Sequence, residues 1–283
     1  MAKEPANLLL AGFFIMASSL EYCTMSLFNG GLMTTRATNL HNSRLIRVLS
    51  DLLIMDAAGP GVAFAEKLGL WLDHHDAIAL RAAHTTSIPI TLSGMNIDAG
   101  VCITEEFTRK RTSLVDAIRK TGVANVGSTK VELPSPEKGV SLDFASAYEP
   151  YRRCYLEHQR NMTLSIRALR AQVREVLAKA SPGLSKLAAL DAALEGILCD
   201  RESKLLAAVP LLLARRFEQL GNAHEQTQAA MQHPDSPAIW MQAQSWLARF
   251  CNELQTVLLA ELDLRLQPTV GLIEAFNNKT SHQ

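Results

Sequence analysis

No two cysteines stand in CxxC spacing, and Cys23, Cys102, Cys154, Cys199 and Cys251 are odd in number and far apart. That pattern gives no disulfide scaffold and no zinc site of the usual ligand spacing, and it fits reduced thiols in a cytosol. An excess of either charge is missing too. The chain carries 28 Lys and Arg against 28 Asp and Glu, so no overall polyelectrolyte character drives it onto nucleic acid or an anionic membrane. Aromatics make up only 6%, and the interleaved stacking side chains that single strands favour are absent. The apolar run Leu8 to Ala17 is ten residues long, where a membrane-spanning helix needs about 20.

Catalytic motifs are lacking as well. There is no Gly-x-Ser-x-Gly elbow, no His-Glu-x-x-His and no dinucleotide fingerprint. Gly122-Val-Ala-Asn-Val-Gly127-Ser128-Thr129-Lys130 resembles a phosphate loop. Its lysine comes two residues late, no hydrophobic strand precedes it, and Pro134 blocks a following helix. His74-His75-Asp76 suggests a metal, yet adjacent helical residues do not share a face and no second ligand pair lies at i+4. The sequence therefore nominates no catalytic, cofactor-binding or metal-binding residue.

The start of the chain admits three readings. Leu8 to Ala17 followed by Ala17-Ser18-Ser19 has the outline of a signal peptide, although Lys3 sits beside Glu4 in place of a basic n-region. Met33 opens a polar stretch leading straight into the first patterned helix, as expected if 1–32 is a mis-called extension. An ordered N-terminal extension is the third. The sequons at Asn161-Met162-Thr163 and Asn278-Lys279-Thr280 matter only in a secreted glycoprotein.

What is present is helix, and the 48% apolar content suffices to bury a core. Leu45, Val48, Leu49, Leu52 and Leu53 share a face, with Asn42 or Ser43 as N-cap. After Gly59-Pro60-Gly61 a second helix presents Phe64, Leu68, Trp71 and Leu72, and a third from Asp73 carries Ile78 and Leu80. Residues 33–84 thus read as a small helical unit. Residues 85–145 read as an irregular linker holding one helix near 104–121, with Glu105 and Glu106 at its positive end and Gly122 as its stop.

Residues 146–283 read as an all-α helical bundle of long antiparallel helices. Met162, Ile166, Leu169, Val173 and Val176 alternate by threes and fours, as heptad core positions do. Ser146 and Glu149 suggest a capping box, or Pro150 a first turn, and Ser181-Pro182-Gly183 ends the helix. The next apolar series runs from Leu184 to Phe217, kinked at Pro210 and closed by Gly221. The last, from Ile239 through Trp246, Phe250, Leu254 and Val257 to Leu264, stops before Pro268.

Charge is uneven across this bundle. Residues 147–216 hold twelve Lys or Arg against seven Asp or Glu, while 217–283 hold three against seven. Arg153, Arg160, Arg167 and Arg174 recur every seventh residue as one stripe, drifting by about 20° per heptad on a straight helix. Either the stripe is a solvated face neutralised by Glu218, Glu225, Glu253 or Glu261, or it docks an acidic helix or phosphates.

Ser43-Arg-Leu-Ile-Arg-Val-Leu, Phe64 to Trp71-Leu72-Asp73, Tyr151-Arg-Arg-Cys-Tyr-Leu-Glu-His-Gln-Arg160, Leu169-Arg-Ala-Gln-Val173, Leu187-Ala-Ala-Leu-Asp191 and Leu262-Asp-Leu-Arg-Leu-Gln-Pro268 resemble a proteobacterial family of uncharacterised helical proteins. The resemblance covers roughly 43–84 and 147–276 and transfers no catalytic residue. It implies a start near Met33 and genes that lie near an envelope protein of the OmpA type, which fits a cytoplasmic accessory of a cell-envelope complex. The expected function is then a non-enzymatic helical adaptor or assembly factor that binds a protein partner or itself, with no nucleic acid, no membrane span and no cofactor. The alternative is a nucleotide- or metal-dependent enzyme or regulator with a site between the N-terminal unit and the bundle.

Overall fold

A computed structural model of the chain describes residues 44–52, 72–85, 97–122, 144–231 and 245–281, and the regular elements among them are all helices. In chain order they are α1 (Arg44–Asp51), α2 (His74–Thr85), α3 (Ile97–Gly122), α4 (Phe144–Ala180), α5 (Pro182–Leu206), α6 (Val209–Met231) and α7 (Trp246–Ser281). The fold is the all-α helical bundle that the heptads imply. The segment around Phe64, the linker after Gly122, and Ile239 lie outside the described residues.

Of the heptad positions of α4, Met162, Ile166, Leu169 and Val173 are at most 6% exposed, while Val176 is half-buried and its neighbour Leu177 takes the core place. Ser181 then reverses the chain. Its hydroxyl caps α5 by accepting from Leu184 N at 3.3 Å, and Pro182 fills the first helical position, where a missing N–H costs nothing. Arg170 faces Asp191 and Gln159 faces Leu206, so α5 descends antiparallel along α4. Tyr148 and Tyr151 meet Phe217, and Phe144 meets Gly221, so α6 continues the same descent. Against them α7 runs parallel to α4, with Tyr155 and Gln159 at Glu261 and Thr163 at Arg265. The return stroke is α3, antiparallel to α7, with Ile118 at Gln255, Arg111 at Asp263 and Gly100 at Phe276. Of the described helices, α7 touches α1, α3, α4, α5 and α6, while α2 lies on α5.

Several expected boundaries move. Pro210 breaks the α5–α6 path outright, because it offers no N–H to Leu206 and its ring clashes with that carbonyl. The released Leu206 oxygen accepts instead from Gln159 Nε2 at 3.2 Å. Gly221 does not close α6, which runs on to Met231; the Phe144 ring occupies the place a Cβ would take, so packing sets this glycine. Pro268 does not end α7. Leu264, Leu266 and Leu272 on both sides of it are at most 4% exposed, and that burial offsets the roughly 3 kcal/mol an interior proline costs. The fourth helix of the bundle, α3, begins at Ile97, so Glu105 and Glu106 lie two turns inside it and away from its positive end. Asp73 and Asp76 cap α2 reciprocally, at 2.8 and 3.1 Å. No residue of α2 is buried, and Ile78 is 53% exposed.

Candidate functional site

The arginine stripe does not behave as one unit. A seven-residue repeat falls short of two full turns, so successive members rotate by about 20° each. Exposure follows the rotation: the side chain is 76% exposed at Arg153, 57% at Arg167 and 14% at Arg174. Arg174 has turned into the α4–α5 seam, where it binds Glu195 at 2.5 Å and Asp191 at 3.5 Å. Arg153 pairs one turn back with Glu149 at 3.2 Å, and Arg167 only grazes Glu195 at 3.9 Å. Arg160, in the middle, is exposed and has no ion-pair partner among the described residues. Glu253 and Glu261 are engaged elsewhere, the first by Arg216 and Arg249, the second by Arg265. At 100° per residue, Leu156 and Leu164 lie within about 40° of Arg160 on either side. They are 37% and 61% exposed.

Beneath that face lies a polar seam that heptad counting does not find. Tyr155, Gln159 and Thr163 on α4 meet Glu261 and Arg265 on α7, and Arg265 in turn reaches Glu202 on α5. Glu261 is fully buried and accepts from Tyr155 Oη at 2.6 Å, Gln159 Nε2 at 3.0 Å and Arg265 Nε at 2.9 Å. Arg265 also reaches Thr163 at 3.2 Å and Glu202 at 3.3 Å. Burial, then the Glu261 carboxylate, push the Tyr155 hydroxyl far above its ordinary range, so it stays a donor. Burial also raises Glu202, against the opposing pull of Arg265 and Arg170. About two turns further along α4, Arg170 grips Asp191 with two bonds of 2.5 and 2.8 Å. The signal in the sequence was the row Gln159, Thr163, Arg170 and Arg174, polar and immediately beside the apolar stripe.

This seam is internally paired. Its donors and acceptors answer one another across three helices, which ties the register of α4, α5 and α7. The thiols fit the same picture: burial raises Cys154, and raises Cys251 to about 11. Among the described residues no group of three or more His, Cys, Asp or Glu side chains is gathered to hold a metal. His74 and His75 are exposed on α2 with their rings edge to face. No described helix is long and apolar enough to cross a membrane.

A family model described as Protein of unknown function (DUF3348) matches residues 33–278. The chain belongs to that family. No curated protein and no solved structure matches it. Both the stripe and the polar seam of this DUF3348 chain fall within the matched residues.

Proposed function

We propose that the chain is a non-enzymatic helical adaptor, and that the outward face of α4 docks an acidic amphipathic helix of a protein partner. The observation that carries this reading is Arg160, unpaired among the described residues and bracketed by the exposed Leu156 and Leu164. Leu156 and Leu164, four residues to either side of Arg160, offer apolar contact to the apolar face of an incoming helix. Arg153 and Arg167 extend the basic row on either side and match carboxylates on the incoming helix. The interior chemistry supports an adaptor over an enzyme, since the buried ionisable groups serve one another. A partner on the cytoplasmic side of the cell envelope fits the setting that the family resemblance implies.

The test compares the wild-type chain with Arg160→Glu/Leu164→Asp, both substitutions lying on exposed positions that leave the core intact. Cross-linking in the native host identifies partners, and a labelled peptide of each partner's acidic helix is titrated against both proteins. Binding at least tenfold weaker in the double variant, with unchanged thermal unfolding, supports the reading. Equal binding by both proteins overturns it. Light scattering tells whether the bound helix comes from a second copy of the chain.

A further inference from the structure

The polar seam buries more carboxyl groups than cations. Arg170 and Arg174 face Asp191 and Glu195, two charges against two. Arg265 alone bridges Glu261, at 2.9 Å, and Glu202, at 3.3 Å. One guanidinium therefore serves two carboxyl groups, whose side chains are 0% and 19% exposed. Two ionised carboxylates at one buried cation leave a net negative charge out of water, and the ordinary relief is for one of them to keep its proton. We infer that this pair holds a single proton, on Glu202, and that its loss unfastens the end of α5 from α7, which makes the seam a pH-sensitive latch.

The hydrogen bonds choose the protonated member. Glu261 accepts from Tyr155, Gln159 and Arg265, and bonds to a carboxylate favour its charged form. Glu202 accepts from Arg265, and among the described residues it has no second donor. Burial raises the Glu202 carboxyl, and Glu261 on α7 and Glu195 on α5 push the same way against Arg265 and Arg170. On α2, which lies on α5, His74, His75, Arg81 and His84 are exposed and Asp76 accepts from Asp73 N. A raised folded-state value means that the proton stabilises the fold at low pH, and that this contribution is lost as pH rises through the window between the unfolded and folded values. Glu202 also has the exit, since it is part-exposed while Glu261 is enclosed. Once ionised it turns to water and gives up Arg265. The helix α5 packs chiefly on α4 and touches α7 lightly, so little else fastens its end there. Gln159 carries the change onward, because it donates both to Glu261 and to the carbonyl of Leu206, the last residue of α5.

Infrared difference spectroscopy of the full chain reads the proton directly. At about pH 6, where solvated carboxyl groups are ionised, the wild-type chain should show the carbonyl stretch of a protonated carboxyl group. That band should fade reversibly by about pH 9 and be missing from Glu202→Gln. Hydrogen exchange, corrected for the intrinsic rate, gives the second readout. Over the same range, protection of amides 200–206 should fall at least about fivefold relative to those of α6 in wild type and stay level in Glu202→Gln. No such band in the wild-type chain, a band that survives in Glu202→Gln, α5 protection that follows α6 at every pH, or an equal fall in the variant would each overturn the proposal.

Discussion

Glu202 and Glu261 sit in the same seam and should respond oppositely to loss of charge. A carboxyl group whose folded-state value is raised binds protons more readily when folded, so stability falls as pH rises through the window between its unfolded and folded values. Glu202 is such a group. Glu202→Gln should therefore melt higher than wild type at pH 8, and the gain should vanish on acidification as the native carboxyl takes up its proton; thermal melts at a series of pH values read this directly. Glu261 instead accepts from Tyr155, Gln159 and Arg265 at once. Glu261→Gln leaves those donors mismatched and should cost about 3 kcal/mol in denaturant unfolding. Alkylation at pH 8, followed by peptide mass spectrometry, should modify exposed Cys102 well before Cys154 and Cys251, whose thiols burial keeps protonated. Neither carboxylate's role was legible from the chain, because position in a heptad says which way a side chain points and not which partner waits there.

At the scale of elements, the long helices were legible and their breaks were not. Met162 through Val173 announce α4 because one periodicity persists over many turns, and persistence outweighs local preference. Pro210 and Pro268 carry the same local penalty, yet one splits a helix and the other rides inside one. The difference lies in tertiary company, which propensity ignores: Gln159 and Tyr148 stand ready to take the carbonyls of Leu206 and Pro210, at 3.2 and 2.7 Å. Glycines sort the same way. Gly221→Ala drives a Cβ into Phe144 and should destabilise by about 1–3 kcal/mol. Gly196→Ala meets nothing within 4 Å in mid-helix and should stabilise by about 0.5–1 kcal/mol. Urea titrations followed by circular dichroism distinguish the two signs.

For the whole molecule, the bundle was foreseen but its hub was not. The sequence shows each apolar face separately, whereas the central place of α7 depends on which faces meet, as its fully buried Phe250, Val257, Leu258, Leu262 and Leu272 show. Stability should be graded accordingly. In hydrogen exchange, amides of α4 and α7 should be the slowest, and those of α2, which buries no residue, should exchange at low opening energy. The hub also has a place in time. A chain made from its N-terminus at about 5–20 residues per second completes α3, α4, α5 and α6 before α7 exists to bind them. For several seconds the nascent protein carries a hairpin of paired helices with its apolar interior uncovered, and closure comes only with α7.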